Sequence, residues 1–141
     1  MTETDIQIRR VKYPHMMKQE IVTWKKFLKM FGHNFTKYRY DVHVGQGVGR
    51  IPGFTTVLQD MAVRLTQKRI DVVAARGAET FIIEIKERAS MAAIGQLLTY
   101  RELYEKRYGF RRISGLIIVA ESVDPDIRGV IEKFNIRLFV V

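Results

Sequence analysis

Glu84 and Lys86 stand two residues apart at the end of the β-rich run Thr80–Ile85. Side chains alternate along a strand, so Phe81, Ile83 and Ile85 point to one side and Ile82, Glu84 and Lys86 to the other. A carboxylate and an ammonium thus share one face of what should be a central strand, where an unpaired charge is costly. A wet strand end carrying an idle ion pair would show the same two residues, so the neighbours decide. Asp71 lies at the start of the preceding run, Ile70–Ala75, and a tight turn over Arg76–Glu79 brings the ends of the two runs side by side. Two carboxylates converging beside an ammonium make a hard-oxygen pocket suited to Mg²⁺ or Mn²⁺. Such an ion polarises a phosphodiester and acidifies water, while the lysine orients that water or steadies the anionic transition state. Gln96 and Tyr100, one turn apart on the next helix, present an amide and a phenol on one face. Glu20 sits beside the apolar stripe of the first helix and is expected to point inward as a further carboxylate.

The elements that must position these groups follow from periodicity. Met17, Ile21, Trp24, Leu28 and Phe31 recur at 4-3-4-3 spacing, which predicts one helix over 14–31 with Pro14 in its first turn and Gly32 at its stop. Lys25, Lys26 and Lys29 fall on its wet face. Tyr38, Tyr40, Val42 and Val44 alternate with Arg39, Asp41 and His43, a half-buried strand. Residues 45–55, with four glycines and Pro52, read as a loop near the substrate; Val57, Leu58, Met61 and Leu65 fit a short helix over 56–68. Ile70–Ala75 and Thr80–Ile85 form a hairpin, 90–108 a helix with Ser90 at its start and Gly109 at its stop, and Leu116–Ala120 a strand buried on both faces. Asp124–Phe134 is a short helix and Ile136–Val141 the last strand. The order implies an α/β sandwich whose first strands are antiparallel and whose last are joined by helical crossovers. All 141 residues are expected to make a single domain.

Composition limits the chemistry. With no cysteine, disulfide frameworks, thiolate metal sites and cysteine nucleophiles are excluded. The apolar runs are far shorter than a membrane span, and the amino terminus, with Glu3 and Asp5, lacks the apolar core of a secretory signal, so the chain reads as soluble and intracellular, in the cytoplasm. The formal charge of +9 is concentrated before residue 41 and suits a polyanionic partner such as nucleic acid. Gly45-x-Gly47-x-Gly49 is followed by Ile51-Pro52-Gly53 where a nucleotide-binding loop would begin a helix. His15, His33 and His43 show no paired ligand spacing and are expected to play no catalytic part, His43 at most facing substrate. Tyr100, Tyr104 and Tyr108 recur every four residues, a core-packing pattern. No serine has the surroundings of a nucleophile elbow.

Asp71, Glu84-Ile85-Lys86 and Gln96-x-x-x-Tyr100 together resemble the D…ExK…QxxxY pattern of the PD-(D/E)xK nuclease superfamily, RecB-like branch. From Arg69-Ile70-Asp71 through Gly115–Ala120 to the end, residues 69–141 look like the catalytic domain of archaeal and bacterial mismatch- and branch-cutting endonucleases; Ile70 replaces the Pro of the superfamily's name. Residues 1–68 correspond only in layout, and such enzymes carry a separate DNA-binding, dimerising domain ahead of the nuclease. The resemblance implies a restriction-endonuclease-like core, a mixed sheet flanked by helices. It makes Asp71 and Glu84 ligands of Mg²⁺ or Mn²⁺, Lys86 the catalytic lysine, Gln96 and Tyr100 supporting groups, and Glu20 the acidic residue of the first helix. Lys68, Arg69 and Arg88 would then rim the site against DNA, and Arg111 and Arg112 would grip its backbone from a loop. The implied activity is metal-dependent DNA endonuclease in repair, recombination or branched-DNA processing. The alternatives are a dimeric Holliday-junction resolvase and a non-catalytic nucleic-acid-binding module.

Overall fold

The computed structural model describes residues 13, 15–109 and 111–141. The readings placed on Glu3, Asp5 and Pro14 lie outside them. The elements are α1 (Lys18–Phe31), β1 (Lys37–Val44), α2 (Thr56–Thr66), β2 (Lys68–Arg76), β3 (Glu79–Ala89), α3 (Met91–Arg107), β4 (Gly115–Val123), α4 (Arg128–Lys133) and β5 (Ile136–Val140). The strands form one mixed sheet in the order β1-β2-β3-β4-β5. The β1–β2 and β2–β3 pairs are antiparallel, and β3–β4 and β4–β5 are parallel. This is the expected α/β architecture.

Why the sheet is covered on both faces is visible in β3. Phe81, Ile83 and Ile85 join the core under α1, whereas Ile82 joins the core under α3 and α4. Alternation therefore buries both sides of the strand, and the polar Glu84 falls on the α3 side. On the α1 side Trp24 and Phe27 are wholly buried and stacked, with ring centroids 5.1 Å apart. Burying a side chain of that size is worth roughly 3 kcal/mol, so these two fix α1 against the sheet. Tyr100 and Tyr104 pack into the α3-side core as expected, while Tyr108 is exposed; the Arg39 guanidinium lies over the rings of Tyr104 and Tyr108.

Four expectations need correction. α1 begins at Lys18 rather than 14, and Met17, at the N-cap, is exposed instead of completing the stripe; Phe27 takes that place in the core. The stretch 124–134 divides into a 3₁₀ turn over Pro125–Ile127, which turns Ile127 into the core, and the short α4. In β1, Tyr38 and Tyr40 face α1 but Val42 and Val44 face α3. The alternation switches at Asp41, which has φ +53° and no register partner opposite Asp71. An Asp adopts this left-handed conformation at a cost of about 1 kcal/mol, too local an event for a period-two pattern to reveal.

The fourth concerns α2, whose apolar face is not buried: Val57, Leu58, Met61 and Leu65 are all exposed. The helix is held instead by the glycine loop before it. Gln59 accepts from the Ile51 N–H and donates to the Gly49 carbonyl, Thr66 accepts from the Val48 N–H, and Gln67 donates to the Gly45 carbonyl. Gly47 is required where loop and helix touch. It has φ +62°, and an added Cβ would sit 2.6 Å from Thr66 Oγ1 and 2.7 Å from the Val63 carbonyl oxygen.

Candidate active site

β2 and β3 run as a regular ladder from Arg76↔Glu79 down to Val72↔Ile83, and there the ladder ends. The next opposed residues are Asp71 and Glu84. In place of a backbone bond, Asp71 Oδ2 accepts the Ile85 N–H at 3.1 Å, so the aspartate side chain occupies the gap where the strands part. Neither carboxyl is wetted: Asp71 is 6% exposed and Glu84 3%. Lys86, two residues on and on the same face as Glu84, places Nζ 3.3 Å from Glu84 Oε1. The hairpin register and strand alternation thus bring Asp71, Glu84 and Lys86 together at one point.

α3 closes this pocket from one side and the start of α1 from the other. The hollow, about 220 Å³, is lined by His15, Met17, Glu20, Arg69, Asp71, Glu84, Lys86, Gln96 and Tyr100. Burial pushes the Glu84 carboxyl up to about 8, and the Asp71 charge adds to the rise against the opposing pull of Lys86. Asp71 is raised by burial as well, and by Glu20, while the Ile85 N–H and then Lys86 and His15 hold it back. Tyr100 is raised to about 12, by burial first and then by the two carboxylates. Two acceptors of this pocket, Glu84 Oε2 and Gln96 Oε1, are buried without a hydrogen-bond partner among the described residues. The site holds more oxygen acceptors and latent negative charge than Lys86 alone answers.

The residues singled out in the sequence fall into two groups. Asp71, Glu84, Lys86, Gln96, Tyr100 and Glu20 all line the one pocket. Glu20 is only half-inward, because its Oε2 accepts the Met17 N–H at 3.2 Å and caps its own helix. Among the described residues no three His, Asp or Glu side chains converge as a metal cage. Arg69 lines the pocket, and Lys68 and Arg88, both exposed, lie next along the same strands. Arg111 and Arg112 are exposed but at the other end of the sheet. Their loop leads into Ser114, which pairs with Thr80, six residues or roughly 20 Å along β3 from Lys86. The parallel β3–β4 pairing dictates this separation, since the loop entering β4 must lie beside the beginning of β3.

The sequence reading assigned His15 and Asp41 no part in the site, and His43 at most a place facing substrate. His15 lines the pocket, and no spacing signal marks it. Asp41 accepts the Arg69 guanidinium through both carboxylate oxygens, Nε to Oδ1 at 2.6 Å and Nη2 to Oδ2, and that partner holds its carboxyl below the usual range. His43 lies opposite Arg69 in the ladder, with Nε2 3.6 Å from Asp41 Oδ2. A larger hollow of about 450 Å³ lies between the glycine loop and α2, but Asp60 is its single carboxylate and Arg50 its single cation.

Comparison with known proteins follows the same line. Residues 50–141 match the family of the endonuclease NucS C-terminal domain, a span that includes Asp71, Glu84, Lys86, Gln96 and Tyr100 and omits Glu20. No curated protein matches the chain. Among solved structures it resembles a protein of unknown function, AF1548, at 16% identity and a TM-score of 0.52, covering 84% of this chain and 56% of that one. It also resembles a repair endonuclease from Pyrococcus abyssi at 13% identity and a TM-score of 0.51, covering 93% and 49%. The chain therefore spans about half the length of these two proteins, and at such identities the likeness is one of fold.

Proposed function

The chain belongs to the endonuclease NucS C-terminal domain family, and from that premise we propose that it hydrolyses DNA phosphodiester bonds at the Asp71–Glu84–Lys86 pocket as a member of the PD-(D/E)xK superfamily. The role is in DNA repair or the processing of branched DNA. One observation carries this reading: two buried carboxyls face each other where β2 and β3 part, both shifted toward protonation, with an ammonium 3.3 Å from one of them. For stability alone this is an expensive arrangement, which a divalent cation would relieve.

The donor set fits Mg²⁺ or Mn²⁺. Glu84 Oε2 is an orphaned buried acceptor, and an ion of this kind needs only one or two protein carboxylates when water and substrate phosphate complete its shell. Asp71 and Glu84 would hold it, and Gln96 and Glu20 line the same pocket. Bound there, the cation would supply Lewis-acid polarisation of the phosphodiester and a lowered pKa for the attacking water. Lys86 then has two donors free of Glu84 with which to orient that water or neutralise charge on the phosphoryl oxygens. Tyr100, raised to about 12, keeps its proton at neutral pH and so remains a hydrogen-bond donor lining the pocket. Burial of Asp71 and Glu84 excludes bulk water and strengthens every one of these interactions. Arg69, Lys68 and Arg88 supply the cationic rim that meets the DNA backbone.

The test is incubation with labelled duplex, mismatched, forked, single-stranded and four-way DNA in Mg²⁺, Mn²⁺ or EDTA. The expected result is cleavage that requires the cation and that Lys86→Ala or Glu84→Ala abolishes while binding survives. Paired symmetric nicks confined to four-way DNA would assign a dimeric junction resolvase instead. Salt-sensitive binding with no cut on any substrate would leave a nucleic-acid-binding module and overturn the enzymatic reading.

A further inference from the structure

Resting on that reading, we infer that Asp41 is a positioning residue that sets Arg69 as a phosphate grip between the catalytic pocket and a second cavity, and that this cavity takes the phosphodiester next to the one cut. The second cavity, about 330 Å³, is lined by Asp41, His43, Met61, Arg64, Leu65 and Arg69. Arg69 lines the catalytic pocket as well, so the two hollows share this residue.

Three features support a built device rather than an incidental ion pair. The left-handed turn at Asp41 interrupts β1 at the one position opposite Asp71, so the backbone departs from regular pairing where the site is. That departure is what brings the Asp41 carboxylate onto Arg69 in two-point contact, with the Asp41 side chain 16% exposed and Arg69 35%. A guanidinium held through Nε and one Nη keeps its remaining N–H groups in a fixed plane, the geometry that meets a phosphate through two donors. Finally, the cavity beyond it carries a second cation, Arg64, and the His43 imidazole, on an apolar floor of Met61 and Leu65. Polar donors over an apolar floor suit a nucleotide, its phosphate on the arginines and its sugar and base on the floor.

Asp41 neutralises Arg69, so its contribution is direction rather than attraction. Removing one charge from the pair should leave binding intact or tighter while slowing the cut. Asp41→Asn is the appropriate variant because Asn also tolerates the left-handed conformation. The experiment measures binding in Ca²⁺ and cleavage in Mg²⁺ for a set of DNA substrates, each carrying one neutral methylphosphonate at a different position around the cut. In the wild type, one position next to the scissile phosphate should cost about tenfold in affinity, the worth of a charge-assisted hydrogen bond. In Arg69→Ala that position should cost nothing, and Arg69→Lys should not restore the effect. Asp41→Asn should bind within about threefold of wild type or tighter, yet cleave about ten- to a hundredfold more slowly. An unchanged interference profile in Arg69→Ala, or parallel losses of binding and cleavage in a folded Asp41→Asn, would overturn the inference while wild-type cleavage leaves the nuclease reading intact. Wild-type protein that cuts nothing fails the nuclease reading, and positional coupling between Arg69 and one phosphate would still be read from binding.

Discussion

Replacing Glu84 with Gln isolates the cost of the buried carboxyl pair. The folded protein holds this carboxyl up at about 8, against 4.5 for an unperturbed glutamate. A group raised in the folded state binds its proton more tightly there, so the stability it lends is complete below the unfolded value and is lost as pH rises through the folded one. Between about pH 5.5 and 7.5 the unfolded chain has already released most of this proton while the folded chain largely keeps it. At about 1.4 kcal/mol per unit, and allowing for the glutamate already ionised at the lower pH, those two units remove on the order of 2–3 kcal/mol. For a domain of this size that is a fall of roughly 10 °C in Tm. Glu84→Gln keeps the shape and removes both the titration and the repulsion with Asp71, while Lys86 retains solvent access at 26% exposure. Thermal melts in EDTA at the two pH values, wild type against Glu84→Gln, measure the difference directly. The wild type should lose most of that increment on raising the pH, the variant should lose less, keeping only the dependence that the raised Asp71 contributes, and millimolar Mg²⁺ should restore the wild type more than the variant. Equal pH dependence in the two proteins would refute the claim that Glu84 is buried against Asp71.

Other consequences are separable. Arg111→Ala with Arg112→Ala should leave DNA affinity within about twofold, whereas Lys68→Ala with Arg88→Ala should lower the salt dependence of binding by about two phosphate contacts, read from Kd against salt concentration. Gly47→Ala should destabilise the loop–helix unit by roughly 1–3 kcal/mol, since its Cβ would meet Thr66 and the Val63 carbonyl oxygen at a positive φ; denaturant unfolding measures the loss, and Gly49→Ala, with the same sign of φ but open space around it, should cost less. Phe27→Ala should cost about 3–5 kcal/mol in the same measurement, because its wholly buried ring packs among Trp24, Phe31, Phe35 and Phe139.

The meeting of Asp71, Glu84 and Lys86 was readable from the sequence because two rules fix it, the alternation of β3 and the arithmetic of a tight hairpin. Gln96 and Tyr100 were readable because one helical turn is a fixed rotation. The rest depends on long-range placement. Where Arg111 and Arg112 go is decided by β4 running parallel to β3, which sends their loop to the far end of the sheet. The face switch in β1 depends on one residue's φ, and an Asp in a strand looks the same in sequence whether extended or left-handed. The apolar face of α2 met the helical period but no partner among the described residues, so periodicity marked the helix and misjudged its burial. His15 reaches the pocket by way of the chain entering α1, which no local pattern specifies.

The central claim is that Asp71 and Glu84 jointly hold one cation within reach of Lys86. Diffraction from crystals grown in Mn²⁺, recorded where manganese scatters anomalously, tests this most directly. The expected result is a peak bonded to oxygens of both Asp71 and Glu84 at about 2.0–2.6 Å, absent in Glu84→Gln. A fully occupied peak elsewhere, with the two carboxyls turned apart and nothing between them, would contradict it.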